Sequence, residues 1–495
     1  MQSISLPYQD KSRYLSNFGK LSNKSGFVLL DSAGSNLDYN RYDIVTYEPT
    51  VMLTYRNLQC DVKLLGEQPL PFRIEKPQSA KQLFDSMRKL SKHYSPLPSS
   101  SDSASAKVDK TNNASSELST ASLPFNGGWL GYLSYDFGRA LEELPDDTED
   151  DISLPWLSMG LYQWAIISDH QLKSTTLYNF GLNSIRWNKI SQEVIESLSD
   201  QNSTKHQQDF KLTTEWQSNT SQSDYENAFL KIKNYIYAGD CYQVNFAQRF
   251  QAQFQGSVFD AYQQLSNANQ APFSAFMQYG DHQILSMSPE RFIECHQQQV
   301  ITQPIKGTRP RSTNPEEDKQ LGEALVNSEK DRAENLMIVD LLRNDLSRTA
   351  DIGSVKVSEL FGHYKFESVH HLISTIESKL KPGMDPFDLL ATTLPGGSIT
   401  GAPKIRAMEI IEELEKVKRN LYCGIIGYID FEGNMDTNIC IRTLIAKNEN
   451  LYCWAGGGLV ADSECDAEYQ ETFDKLRKIL PILAPNATES STDYD

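Results

Sequence analysis

The stretch Tyr452-Cys-Trp-Ala-Gly-Gly-Gly-Leu459 begins apolar and aromatic and ends nearly bare of side chains, and it has two companions, Tyr422-Cys-Gly-Ile-Ile-Gly-Tyr428 and Asn438-Ile-Cys-Ile-Arg442. All three are short, apolar and rich in residues that favour extended backbone, so they read as adjacent buried strands. Gly456, Gly457 and Gly458 leave backbone amides open to a ligand oxygen. Arg442 closes its strand, and a buried guanidinium needs an anion, either a ligand carboxylate or a structural partner.

Upstream, Pro304-Ile-Lys-Gly-Thr308 sets Lys306 beside a glycine turn and ahead of Arg309-Pro-Arg311. That placement suits a nucleophile or an anion clamp; a lysine on an ordinary loop is the competing reading. Two carboxylate pairs follow. Asp331 and Glu334 lie three apart in a run whose apolar spacing (Leu336, Met337, Val339, Leu341) predicts a helix, so they share a face. Glu468 and Glu471 repeat the spacing in Asp466-Ala-Glu-Tyr-Gln-Glu-Thr472. Oxygen donors on two helices, without histidine or cysteine beside them, suit Mg²⁺ better than zinc; solvated helix carboxylates are the alternative.

Leu394-Pro-Gly-Gly-Ser-Ile-Thr-Gly-Ala-Pro-Lys404 runs into a predicted helix over 405–414. It reads as a helix start with free backbone N–H groups, able to bind an anion or simply to be capped. Its glycine spacing does not match a nucleotide P-loop. Glu290, in Ser288-Pro-Glu-Arg-Phe292, follows a predicted strand, and His370 and His371 are adjacent, so at most one faces a site.

The N-terminal half reads as strands over 26–56, a short helix over 80–94, a polar insertion over 95–122 too poor in apolar residues to order itself, and sheet resuming at Phe125-Asn-Gly-Gly-Trp129. A polar stretch over 200–223 ends where Asp224 is expected to cap a helix. The expected division is residues 1–223, a chemistry-bearing region 224–485 and a frayed tail 486–495. The length permits two to three domains or one large intertwined unit.

The 65 acidic against 47 basic residues give a net charge of −18, which argues against a nucleic-acid binder but says little about small anions. Seven cysteines without a Cys-x-x-Cys pair, a polar N-terminus and no apolar run near the ~20 residues of a membrane span imply a reducing, cytoplasmic setting without a zinc site, disulfide frame or membrane anchor.

Taken together, these runs resemble the chorismate-utilising enzymes: the large subunits of anthranilate and aminodeoxychorismate synthases, with isochorismate and salicylate synthases as cousins. The match is dense over 224–481 and includes Gly239-Asp-Cys-Tyr-Gln-Val-Asn-Phe-Ala-Gln-Arg-Phe250, Pro304–Thr308, Asp340-Leu-Leu-Arg-Asn-Asp345, Gly401-Ala-Pro-Lys404 and Ala455-Gly-Gly-Gly458. It is weaker over 26–49 and 125–139. The resemblance implies an α+β fold of two large antiparallel β-sheets packed in a sandwich, with helices outside.

Two positions select a branch within this resemblance. Lysine at 306 is similar to the aminodeoxychorismate-forming enzymes, where anthranilate synthases carry alanine. Gln243 stands where the water-using enzymes place a lysine base, which implies ammonia as the nucleophile. The expected activity is amination of chorismate to 4-amino-4-deoxychorismate, on the way to p-aminobenzoate, with ammonia from a separate glutamine amidotransferase subunit. The alternatives are anthranilate formation or a non-catalytic scaffold for the amidotransferase.

The resemblance further implies a role for each matching residue. Lys306, as the unprotonated amine, attacks the ring while Glu290 protonates the leaving hydroxyl. Mg²⁺ is held by Glu334 and Glu471, with Asp331 and Glu468 behind them or acting through water. Gln243, Gly307, Thr308, His371, Thr400, Tyr422, Arg442 and Gly456–Gly458 hold the substrate. Ser32, Tyr39, Asn40, Arg41, Tyr42, Pro272, Phe273 and Ser274 line a second pocket that takes L-tryptophan in this family, structurally or as inhibitor. Asp31 departs from the Glu-Ser pattern of the inhibited enzymes.

Overall fold

The computed structural model describes residues 2–32, 41–65, 70–72, 77, 79–96, 123–199, 209–366 and 369–484. The 95–122 insertion (its first two residues aside), Tyr39, Asn40 and the 486–495 tail lie outside the described residues.

Two antiparallel sheets organise the chain. One has thirteen strands among the described residues, along the path Gln2–Leu6, Ser174–Asn179, Trp164–Asp169, Tyr42–Thr46, Phe27–Asp31, Phe273–Tyr279, His282–Ser288, Thr443–Lys447, Asn450–Leu459, Gln243–Gln255 and Lys211–Leu212, with Gln217–Ser218 and Gly401–Ala402 on its edge. The other has eleven. Its path is Ile305–Pro310, Val369–Lys379, Gln299–Thr302, Arg291–His296, Met435–Ile439, Ile425–Asp430, Gly128–Leu133, Leu157–Tyr162, Val51–Arg56 and Gln59–Leu64, with Lys356–Lys365 off the path. Strands from both sides of residue 223 thus share each sheet.

A single apolar cluster takes Val28, Ala165, Met277, Ile284 and Trp454 from the first sheet and Leu53, Trp129, Leu161, Ile293 and Ile426 from the second. The sheets therefore pack face to face, each burying the side chains of alternate positions. Helices cover the outside, as in the cluster that joins Tyr14, Phe18, Trp187 and Phe259 to the first sheet's outer face.

Four strands and four helices carry the site: β1 (Gln243–Gln255), β2 (Ile305–Pro310), β3 (Val369–Lys379) and β4 (Asn450–Leu459), with α1 (Pro315–Val326), α2 (Glu329–Ser347), α3 (Lys404–Leu414) and α4 (Cys465–Leu476). β1 and β4 pair over ten residues, from Val244 opposite Leu459 to Gln253 opposite Asn450. β2 pairs with β3 and carries an irregularity between Lys306 and Thr308.

Three sequence expectations need correction. The runs at 422–428, 438–442 and 452–459 are not neighbours in one sheet. Ile425–Asp430 and Met435–Ile439 pair in the second sheet, whereas β4 lies in the first. Arg442 does not end a strand: it sits with φ 51° between Met435–Ile439 and Thr443–Lys447, where the chain passes between sheets. Apolar runs of this length show that a strand is buried without showing on which sheet. Likewise Asp224 does not cap its helix; Ser221 does, and Asp224 completes a capping box three residues on.

Candidate functional site

The site forms where the chain crosses between the sheets twice, side by side. Glu290 lies between His282–Ser288 of the first sheet and Arg291–His296 of the second; Arg442 lies on the antiparallel return between their partners, Met435–Ile439 and Thr443–Lys447. Met287 N–H donates to the Arg442 carbonyl at 3.0 Å and Ile439 N–H to the Glu290 carbonyl at 3.1 Å, which stitches the crossings together.

Glu290 Oε1 accepts the Ile305 backbone N–H at 3.4 Å. This brings the carboxyl beside Lys306, the next residue. Burial raises the Glu290 pKa above the ordinary carboxyl range, opposed by Lys306, the Ile305 N–H and Arg442. Burial, with Arg477 nearby, holds Arg442 below the usual guanidinium range. Among the described residues Arg442 has no carboxylate within ion-pair distance.

Thr308 Oγ1 lies 3.0 Å from His371 Nδ1 across the β2–β3 pair. Burial lowers the His371 pKa to about 4, so the ring is neutral at neutral pH. His370 points the other way, fully buried against Asp318 and His363, so the two histidines lie on opposite sides of the strand. Gly307, between Lys306 and Thr308, has φ 78°, and a Cβ there would come within 2.7 Å of Leu325 Cδ1 and 3.1 Å of Asp331 Cβ. Only glycine lets β2 lie this close to α1 and α2.

On the first sheet Gln243 is 1% exposed, and its Nε2 has no hydrogen-bond partner among the described residues. The amide lies in the space left by Gly458, whose added Cβ would be 2.8 Å from Nε2. Thr400 is buried and spends its hydroxyl on the carbonyls of Gly396 and Gly397. Lys404 Nζ reaches Asp345 Oδ2 at 2.7 Å, tying the start of α3 to α2 and leaving the lysine internally paired.

The Tyr422 ring stacks on Trp454, with centroids 6.3 Å apart and planes at 7°. Behind it lies a buried pair that sequence reading missed. Arg419 donates to both carboxylate oxygens of Glu415 (2.6 and 2.9 Å), to Ile399 O (3.1 Å) and to Asn245 O (2.5 Å). Its guanidinium lies 5.6 Å from the Tyr422 ring centroid. The i, i+4 spacing of Glu415 and Arg419 was the available signal.

The carboxylates sit on α2 and α4 over glycine floors. A Cβ on Gly457 would lie 3.0 Å from Glu468 Oε2 and 3.8 Å from Glu471 Oε1. Burial raises the Glu334 and Glu468 pKa values; Glu468 is among the charges that raise Glu334, and Glu471 among those that raise Glu468. Lysines interleave them. Lys475 Nζ is 2.7 Å from Glu471 Oε1 and donates to Gly456 O at 2.8 Å. Lys330 Nζ is 4.0 Å from both Glu334 Oε1 and Glu468 Oε1. Asp331 is engaged by Arg309 at 2.9 Å.

Among the described residues no three His, Cys, Asp or Glu side chains are placed together to hold a metal ion. Of the cluster's oxygen donors, Glu471 is paired with Lys475 and Glu468 accepts from Ser463 Oγ at 2.7 Å.

Between the sheets, Ser32, Tyr42, Pro272, Phe273 and Ser274 line one cavity of about 110 Å³ with Ile426, Tyr428 and Asn438. Arg41 is not among its lining residues; it forms a bidentate pair with Asp169 and stacks on Tyr42. Asp31 also lines the cavity, and its carboxylate accepts from Tyr262 (2.9 Å) and Ser266 (2.8 Å). No described helix is long and apolar enough to cross a membrane, and all seven cysteines are free thiols.

The crossings and the neighbouring strands and helices thus gather a lysine, a carboxyl, a neutral histidine and an arginine near an acidic cluster. The chorismate binding enzyme profile matches residues 73–481, and the chain belongs to that family. It is 46% identical over 467 residues, covering 94% of this chain and 95% of the relative, to aminodeoxychorismate synthase component 1 of Escherichia coli (strain K12). It is 35% identical over 72% of its length, and 74% of the relative, to anthranilate synthase component 1 of Aquifex aeolicus (strain VF5). Among solved structures, anthranilate synthase component I from Streptococcus pneumoniae TIGR4 superposes with a TM-score of 0.72 at 30% identity, covering 89% of this chain and 92% of that one.

Proposed function

We propose that the chain aminates chorismate to 4-amino-4-deoxychorismate, using ammonia supplied by a separate glutamine amidotransferase. The observation that carries this reading is Lys306 next to the Glu290 carboxyl, whose pKa burial raises. It is supported by the greater similarity to the aminodeoxychorismate synthase relative than to the anthranilate synthase one.

In the proposed reaction the Lys306 amine forms a bond to ring C2, both ring double bonds shift (C1=C2 to C1=C6, C5=C6 to C4=C5), and the C4 hydroxyl departs as water with the Glu290 proton. Ammonia then bonds to C4, both double bonds shift back, and the C2–N bond breaks to regenerate Lys306. Neutral His371 and Thr308 orient polar groups of the substrate without adding charge. Arg442, with no carboxylate in ion-pair distance among the described residues, takes a substrate carboxylate. Gln243 offers an amide where a base would activate water, which leaves ammonia as the nucleophile.

The donor chemistry suits Mg²⁺: the carboxylates are oxygen donors on two helices, and burial and mutual repulsion raise the pKa values of Glu334 and Glu468, a cost that a cation relieves. Glu334, Glu468 and Glu471 would hold the ion, which would neutralise the substrate's ring carboxylate. Asp331, paired to Arg309, would act from behind. The cavity lined by Ser32, Tyr42 and Pro272–Ser274 is proposed to take L-tryptophan, with Tyr428 and Phe273 against the indole.

The test is product identification by mass and fluorescence with chorismate, Mg²⁺ and ammonium. Aminodeoxychorismate supports the proposal, and anthranilate would transfer the chain to the alternative activity. Turnover without ammonium would mean that water is the nucleophile, and complete inactivity would favour a scaffold.

A further inference from the structure

We propose that Lys330 is a built-in competitor for the divalent cation. Its ammonium stands between Glu334 and Glu468 when the cation is absent and swings to solvent when it binds. This rests on reading those carboxylates as cation ligands.

Four cations face the acidic cluster, and two are held by backbone oxygens: Lys475 donates to the Gly456 carbonyl and Arg309 to the Thr308 carbonyl at 2.9 Å. Lys306 acts on Glu290, Glu334 and Glu471 through space, with no carboxylate within ion-pair distance among the described residues. Lys330 differs from these three. It is 4.0 Å from a carboxylate oxygen on each of two helices, and no other ion pair or hydrogen bond fixes it among the described residues. Its side chain is 55% exposed, against 24% for Glu334 and 7% for Glu468. The lysine therefore lies on the solvent side of the carboxylates, with a clear way out along its own flexible stem.

A compact ammonium between two carboxylates offsets the repulsion that otherwise raises their pKa values. Displacing it sets a threshold concentration of cation below which the cluster stays internally neutralised. The competing explanation is a tie between α2 and α4.

The experiment titrates the full chain with MgCl₂, without chorismate, by calorimetry and by the Mg²⁺-dependent rise in Tm, for wild type, Lys330→Ala and Lys330→Met. Methionine keeps the apolar stem, so it serves if alanine unfolds the helix start. A competitor predicts Mg²⁺ affinity roughly threefold to tenfold tighter in both variants, the size expected for removing two half-exposed ion pairs. It also predicts a larger Mg²⁺-induced rise in Tm. If wild type binds Mg²⁺ and the variants bind equally or more weakly, Lys330 is only a tie and the inference falls. If none of the three takes up Mg²⁺, the cation reading itself falls.

Discussion

Glu290 and Arg442 occupy the two neighbouring points at which the chain passes from one sheet of the sandwich to the other, held together by backbone hydrogen bonds of 3.0 and 3.1 Å. Neither side chain chose this position by helix or strand geometry. The crossings place an acid and a cation at the seam between the sheets, where burial raises the pKa of the first and lowers that of the second. A carboxyl whose pKa burial raises and a guanidinium with no carboxylate in ion-pair distance among the described residues both suit the anionic, hydroxyl-losing substrate of the proposed reaction.

Glu290→Gln keeps the shape and the acceptor for the Ile305 N–H but cannot deliver a proton. Turnover with ammonium is expected to fall about 10²- to 10⁴-fold with Tm little changed. In wild type, activity should decline on the alkaline side as Glu290 loses its proton, and that limb should be missing from the residual activity of the variant. A variant rate within a few-fold of wild type would remove Glu290 as the acid.

Lys306→Ala is expected to abolish aminodeoxychorismate formation while leaving Tm close to wild type, because the side chain is only half-buried. Full activity with ammonium would refute the covalent route.

Gly307→Ala forces a side chain into the left-handed region and into Leu325 at 2.7 Å. The strain alone should cost about 1–2 kcal/mol, seen as a lower denaturant midpoint. Because Lys306 and Thr308 flank the position, turnover should drop by more than the loss of folded protein explains. An unchanged midpoint would show that β2 can move away from α1.

His371 links stability to pH. The folded ring stays neutral down to about pH 4, whereas an unfolded histidine protonates near 6.5. The unfolded chain therefore binds more protons between these values. The contribution is whole above pH 6.5 and is lost as pH falls toward 4, by at most about 3 kcal/mol. His371→Gln should remove that part of the slope. Parallel wild-type and variant stability curves from pH 7 to 4 would contradict this placement.

Much of the site could be read from the sequence because its parts are local. Asp331/Glu334 and Glu468/Glu471 each share a helical face through a period of three to four residues, and Gly307 beside Lys306 marks a turn. Lys330 and the Glu415–Arg419 pair were missed because lysine and i, i+4 ion pairs are common on helix surfaces. Only the partner across the gap gives them meaning.

By itself the sequence determined the strand runs, the carboxylate spacing, the family and the two positions, Gln243 and Lys306, that favour one member's chemistry. Each of these is written in short-range pattern or residue identity. Tertiary structure alone decided that 440–442 is a crossing and not a strand, that Arg442 and Glu290 lie on neighbouring crossings, that Asp331 is paired to Arg309 and that Lys330 bridges two helices. These depend on which sheet a buried strand joins. Hydrophobic periodicity drives a strand into the core without saying which of two apolar faces it completes.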